Sequence, residues 1–408
     1  MKIDRQSKKT ALALIFSIML MDVIGLSILG PVAPYIVKRY SDNALMVTLL
    51  TVIYAGAQFL AAPAMGKISD RLGRRPLLLA SVLGSAIGYF IFGIGGALWV
   101  LLLSRLIDGV TGGNLSIASA YIADVSSKEE RAKNFTLIGM AFGLGFILGP
   151  ALGGALGQIS LNAPMFAAGG FSLINVGLIY FLLPESLPVE KRETRPLRRR
   201  DFNPLATIGD MARIPGISLL LAISALFNFA FDGLNSIAGV FVLDKFAAPL
   251  RVLGLLFVVV GLAQAIMQAT LVRSMLPKYG EKRMAIVSLS GEGLGALAIL
   301  VTPVLWMLFP VFFLQSLVVS FIFSALSTLA ANRVADHQQG QLAGVIVAVN
   351  SVVAALGPLW AGLVYDQIAP GAPYWMGAIL LGLACLLMLP VKVGAAEPRA
   401  ADGYSSAD

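Results

Sequence analysis

Long stretches of the chain contain no Asp, Glu, Lys or Arg: residues 43–66, 76–104, 134–184, 293–332 and 367–391. Their apolar character is continuous, with none of the period-two alternation of a membrane-barrel strand, so they read as helices. Turn signals at Gly95-Gly96, Asn162-Ala163-Pro164 and Thr302-Pro303 divide the longer runs. A helix needs about 20 apolar residues to cross a bilayer. On that measure the pattern predicts twelve helices, near 11–37, 44–66, 76–95, 98–123, 134–157, 164–184, 215–242, 252–275, 284–302, 305–332, 341–365 and 372–390. The first is too long for a cleaved leader and no small-residue cleavage site follows it, so it is expected to stay in the protein.

The longest polar interior stretch, residues 185–213, carries Glu185, Pro188, Lys191, Arg192, Glu193, Pro196 and the triplet Arg198-Arg199-Arg200. Six predicted helices precede it and six follow. The expected organisation is an N-terminal six-helix bundle over 1–184, a cytoplasmic linker over 185–213, a C-terminal six-helix bundle over 214–392 and a cytoplasmic tail over 393–408. The halves carry echoes of one another. Gly73-Arg74-Arg75 is matched by Gly280-Glu281-Lys282-Arg283, 207 residues on, and Gly149-Pro150 by Gly357-Pro358, 208 residues on. Chance Gly-Pro pairs in a glycine-rich chain are the alternative to a six-plus-six duplication. Transporters commonly use such repeats, with a substrate site near the midplane where the halves meet.

Composition narrows the class. Of 408 residues 58% are hydrophobic and 13% charged, about half the charged share of a soluble domain. A soluble chain this apolar lacks the polar surface to cover itself, and a disordered one is polar and charge-rich. One cysteine and one histidine rule out a disulfide framework and an imidazole–thiolate metal site. The net charge of +8 is an orientation signal. Of the 30 Lys and Arg, 25 fall on one side, and the exceptions are Lys38, Arg39, Lys245, Arg251 and the intrahelical Arg105. The basic side is expected to be cytoplasmic, with both termini inside. Arg198-Arg199-Arg200 then reads as a juxtamembrane segment facing lipid, not as a nucleic-acid patch.

Three motifs carry a family resemblance. Gly66-Lys67-Ile68-Ser69-Asp70-Arg71-Leu72-Gly73-Arg74-Arg75, between the second and third helices, resembles the signature cytoplasmic loop of the major facilitator superfamily. A glycine turn sets cations at the interface, and Asp70 can accept their hydrogen bonds. The resemblance implies a conformational latch, with Gly66, Asp70, Arg71, Gly73, Arg74 and Arg75 as its members. Arg105-Leu106-Ile107-Asp108-Gly109-Val110-Thr111-Gly112 is similar to the superfamily's RxxxGxxG element. Asp108 lies three residues on, on the same helical face, and can neutralise the arginine. Structural pairing and proton or substrate coupling both remain open for this pair. Gly145, Gly149, Pro150, Gly153 and Gly154 in the fifth helix resemble the gxxxGPxxGG string associated with proton-coupled exporters. Ordinary glycine packing would account for part of that string. With Gly143-Leu144-Gly145, Asn162-Ala163-Pro164, Leu262-Ala263-Gln264-Ala265, Gln339-Gly340-Gln341-Leu342 and Gly357-Pro358-Leu359, the likeness is greatest to the tetracycline/proton antiporter branch. It implies an all-α membrane protein of twelve transmembrane helices in two six-helix bundles related by a pseudo-two-fold repeat.

Charges inside the spans are where the chemistry is expected: Asp22, Asp108, Asp232, Glu292 and Arg105. An ionised group without a partner costs several kcal/mol or more in a bilayer, so each must be paired, hydrated or intermittently protonated. A carboxylate that holds either a proton or a cationic substrate, but not both, supplies exchange. Asp22 and Glu292 match acids of the tetracycline branch by resemblance, as Gln58 and Gln264 match its polar residues. The branch has an aspartate where this chain has Gly88, and no acid at Asp108 or Asp232. The acids are redistributed, which argues against tetracycline itself as the substrate. Asp232 reads equally as an interfacial cap. Asn228, Gln268 and Asn350 can line a cavity or glue helices together.

The expected function is proton-coupled export of a lipophilic cationic or metal-chelating small molecule by alternating access, as a monomer among the lipids of a bacterial inner membrane. No cofactor beyond the proton gradient is expected. No His cluster, Ser–His pair or metal spacing points to an enzyme. The rivals are a proton symporter importing a sugar, organic acid or siderophore, against which the glycine-proline string weighs, and a non-transporting receptor or scaffold. His337 and Cys385 receive no function.

Overall fold

The computed structural model describes residues 5–193, 216–334 and 339–391. The Arg198-Arg199-Arg200 run, His337 and the 393–408 tail lie outside the described residues. Among the described residues every regular element is helical. The first half holds α1 (Arg5–Ser27), α2 (Ala33–Val37), α3 (Ala44–Leu72), α4 (Arg74–Ile94), α5 (Leu98–Thr111), α6 (Asn114–Val125), α7 (Lys128–Leu156) and α8 (Ala163–Leu182). The second holds α9 (Ile217–Phe246), α10 (Leu250–Ala269), α11 (Leu271–Tyr279), α12 (Glu281–Val301), α13 (Leu308–Ala331), α14 (Gln339–Gln367) and α15 (Ala372–Met388). Among the described residues ten helices are long and apolar enough to cross a membrane. The fourth crossing is α5 with α6, and the twelfth is α15, whose 17 residues reach about 26 Å.

Three crossings differ from the continuous helices that their apolar runs predict. The helix expected over 98–123 breaks at Gly112-Gly113, where Gly112 takes φ −70° and ψ 38°. The side chain of Gln58 donates to the freed carbonyl of Gly112 at 2.8 Å. The helix expected over 252–275 breaks at Thr270, whose hydroxyl back-bonds to the Ile266 carbonyl at 2.6 Å. Such back-bonding competes with the ladder and bends a helix. The helix expected over 11–37 ends at Ser27 and resumes at Ala33, across Gly30-Pro31, where proline supplies no N–H.

The repeat is visible in the backbone. Gly73 (φ +108°) and Gly280 (φ +81°) make the same left-handed entry into α4 and α12. A Cβ on Gly149 of α7 would lie 1.9 Å from Ser27 Oγ of α1, and one on Gly357 of α14 would lie 2.4 Å from the Phe229 carbonyl of α9. Each glycine lets its helix touch the first helix of its own half.

Burial is unequal at the two ends of the bundle. One apolar cluster joins both halves, packing Ile28, Val32, Val47 and Leu50 with Ile237, Val240 and Leu253. The others stay within a half, one around Ile15, Leu78 and Tyr121, one around Phe227, Leu289 and Val345, and a small one around Met267, Met284 and Phe321. Polar contacts between the halves sit at the joined end. Lys38 pairs with Asp244 and the Tyr35 hydroxyl donates to the Ala248 carbonyl, while Tyr365 Oη of the second half steadies Asp244 by donating to its Oδ2 at 2.9 Å. Asp366 accepts the backbone N–H of Ala44 at 2.9 Å and of Leu45 at 2.8 Å, so the end of α14 caps the start of α3. The halves are thus closed together at this end. Among the described residues these polar contacts between them all lie here, and none lies at the opposite, open end, which carries Arg5 and the Gly73 turn.

Candidate transport site

In the first half the broken crossing assembles a charged cluster. Arg105, 1% exposed, donates from Nη1 to Asp108 Oδ2 at 3.0 Å. Its guanidinium lies 5.1 Å from the ring centroids of both Tyr89 and Phe92, while Nε and Nη2 have no hydrogen-bond partner among the described residues. A cation over two aromatic faces is held without those bonds. Gly88 makes room for the pair, since a Cβ there would meet Ser104 O at 3.0 Å and Asp108 Cβ at 3.2 Å. Asp108 therefore occupies the space in front of the position where the resemblance expects an acid. Asp22 of α1 accepts from Asn114 Nδ2 at 2.7 Å. Asn114 opens α6, so the Gly112-Gly113 break sets a helix N-terminus beside this carboxylate, where the macrodipole favours negative charge.

The second half holds its acid apart from that cluster. Glu292 on α12 is 3% exposed and accepts from Gln315 Nε2 of α13 at 2.8 Å through Oε1. It lines a partly open cleft whose ≈ 660 Å³ includes the solvent space at its mouth, with Gln264 and Phe231 among the other walls. Asp232 on α9 is half-buried and has no hydrogen-bond or ion-pair partner among the described residues.

The five polar residues expected to bind substrate occupy three places rather than one. Gln58 is used between helices, bonding Tyr54 Oη at 3.0 Å and the Gly112 carbonyl. Asn228 bonds the Ser224 carbonyl at 2.8 Å and Asn350 Oδ1 at 3.3 Å, and both asparagines line a separate small cavity in the second half. Gln264 and Gln268, one turn apart on α10, line a second cleft walled by α7, α10 and α13. Gln264 belongs to that cleft and to the Glu292 cleft alike.

The 66–75 loop is tied within its own half. Arg74 pairs with Asp70 at 2.6 Å and with Asp124 at 3.1 Å, and it also reaches Ser69 Oγ. Arg75 bonds the Ile179 carbonyl at 3.3 Å, Arg71 is exposed, and the Gly66 carbonyl accepts from Ser69 Oγ at 2.6 Å. On α7, Gly145, Gly149 and Gly153 face α1, whereas Gly154 meets Gly254 of α10 in the other half, a Cβ there falling 3.0 Å from the Gly254 Cα. Pro150 lies within the helix between these two contacts.

Several working residues escaped sequence reasoning. Glu185, expected only as linker, accepts the backbone N–H of Arg74 at 2.9 Å and of Arg75 at 3.2 Å and so caps α4. Its signal was an acid directly after an apolar helix, facing a glycine turn that has no side-chain cap of its own. Asn114, Gln315 and Asp366 are single polar residues at helix ends or in mid-span, and their partners are distant in sequence.

The comparisons with known proteins agree with this geometry. A profile of the Major Facilitator Superfamily matches residues 15–269 and 220–403. The class C tetracycline resistance protein of Escherichia coli is 34% identical over 395 residues, covering 96% of this chain and 98% of its own. Multidrug resistance protein 2 of Bacillus subtilis is 27% identical over 376 residues, covering 90% and 91%. The crystal structure of the human organic anion transporter MFSD10 superposes with a TM-score of 0.71 at 27% identity, covering 93% of this chain and 99% of that one. A chain with this two-part helical architecture, matched by the profile nearly end to end, belongs to the major facilitator superfamily.

Proposed function

We propose that this protein is a proton-coupled exporter that carries a lipophilic cationic or metal-chelating small molecule across a bacterial inner membrane by alternating access. The observation that carries the reading is the separation of two buried acidic centres. Asp22 and the Arg105–Asp108 pair lie in one half, and Glu292 lies in a cleft of the other. A carrier closed at one end can expose both centres to the open side in turn. Relatives named for tetracycline and multidrug resistance support export over import.

In this reading a proton from outside neutralises Asp22, whose charge the Asn114 amide and the start of α6 otherwise support. Arg105 and Asp108 respond to that change from the same half, and Glu292 engages the substrate, with Asp232 as a secondary acid. The proton gradient is the only energy source, and no covalent chemistry takes place. The basic side is cytoplasmic, both termini lie inside, and the open end therefore faces the cytoplasm. The 66–75 loop latches the halves when that end closes, and a monomer surrounded by lipid suffices. The bundles follow the 1–184 and 214–392 division.

A compound-sensitivity panel in an efflux-deficient host tests this. Expression should raise tolerance to lipophilic cations or chelators, and everted vesicles should accumulate the same compounds under an inward-acid gradient. Accumulation in right-side-out vesicles driven by an outside-acid gradient would instead establish symport.

A further inference from the structure

The Glu292 cleft contains two buried polar atoms that none of the described residues satisfies. Glu292 Oε2 and Tyr374 Oη both lack a hydrogen-bond partner, and the residues are 3% and 1% exposed. An unsatisfied buried polar atom in a native fold calls for an explanation. Here both belong to side chains that line one cavity, whose other walls include Phe231, Phe257 and Phe312. Glu292 is its only acidic or basic residue, and among the described residues no group of three His, Cys, Asp or Glu is placed to hold a metal. A single organic cation needs one carboxylate and apolar walls, and this cleft supplies both.

The cleft also has a length. Glu292 and Ile299 of α12 both line it, and seven residues of helix span about 10 Å. Glu292 is in mid-helix, whereas Tyr374 is near the start of α15, at the closed end. The second cleft, walled by α7, α10 and α13, shares Gln264 and Val319 with it and reaches Gln268, one turn further along α10 towards the open end.

We propose that this cavity is the substrate site and that it takes a lipophilic ammonium ion whose N–H donates to Glu292 Oε2, with a hydrogen-bond acceptor at its far end, towards the closed end of the protein, that receives the Tyr374 hydroxyl. Gln315 orients the carboxylate from its other oxygen. The proposal rests on the exporter reading for calling the cavity a transport site, but its test is binding alone. Dansylcadaverine is a suitable probe: a primary ammonium, a five-carbon spacer and sulfonyl oxygens, with fluorescence that rises in apolar surroundings. N-pentyl dansylamide is its neutral counterpart.

Both are titrated into purified protein in lipid nanodiscs at fixed pH with no gradient. The wild type should bind the ammonium at least tenfold more tightly than the neutral probe. Glu292→Gln should remove that preference and leave the neutral probe within about twofold, and Tyr374→Phe should weaken both probes severalfold. Equal wild-type affinities, or a Glu292→Gln effect of the same size on both probes, would overturn the proposal. The wild-type comparison alone decides the matter if the variant does not fold. Amine-selective binding without gradient-driven transport would count against the exporter reading and leave this site standing.

Discussion

Asp366 offers a direct measure of what holds the closed end shut. Its two carboxylate oxygens take the N–H groups of Ala44 and Leu45, at 2.9 and 2.8 Å, and α3 has no side-chain cap of its own at Asn43. A lost cap costs about 1 kcal/mol, within a range of roughly 0.5–2. The negative charge beside the helix start adds about 0.3–1 kcal/mol. These contacts exist only while the two halves touch, so Asp366→Ala penalises the closed arrangement alone. The sum, about 1–2 kcal/mol, shifts the ratio of open to closed at this end by roughly 5–30-fold. Lys38–Asp244 nearby contributes less, because its side chains are 40% and 30% exposed and such pairs are worth at most about 1 kcal/mol. Spin labels at Asp42→Cys and Trp306→Cys, in a Cys385→Ala background, report this end by pulsed electron resonance in nanodiscs. The long-distance population should grow by that factor in Asp366→Ala, and less in Asp366→Asn, which keeps one acceptor oxygen. Distance distributions identical to the parent would refute the cap as part of the closure.

Other perturbations probe the halves separately. Asp108→Asn strips the partner from a buried guanidinium and should cost about 3–5 kcal/mol, while Arg105→Met with Asp108→Asn should recover most of the loss. Strictly additive melting shifts across that double-mutant cycle would show the pair to be uncoupled. Gly149→Ala drives a methyl into Ser27 Oγ and should lower stability by about 1–3 kcal/mol. Gly170→Ala meets nothing within 4 Å and serves as the neutral control, so equal melting temperatures for the two would remove the α1–α7 contact from the account. Glu185→Ala should speed amide exchange at the start of α4 by loosening a cap worth about 1 kcal/mol. Unchanged exchange over residues 74–78 would deny it that role.

Much of the architecture was legible in the apolar runs, because a bilayer leaves a chain few ways to satisfy its backbone. The glycines were also informative: Gly73, Gly149 and Gly357 occupy positions where a side chain would collide or strain the turn. The break at Gly112-Gly113 was hidden, because both flanking helices are as apolar as the continuous helix they resemble. The site was legible only as a set of acids. Asp22, Asp108 and Glu292 stand out because charge is rare in a span. Asn114 and Gln315, which bond two of them, and Tyr374, which lines the Glu292 cleft, do not, since an amide or phenol in a membrane helix has many ordinary uses. Periodicity also could not divide Gln58, Asn228 and Gln264 among three separate places, because that division depends on packing between distant segments.

The central claim is that Asp22 carries the proton while Glu292 holds the substrate in the other half. In everted vesicles energised to an acid interior, adding an exported compound should release protons, read as recovery of acridine-orange fluorescence. Asp22→Asn should abolish this release while substrate–substrate counterflow across the same vesicles persists. Full gradient-driven transport in Asp22→Asn, with proton release intact, would contradict the account.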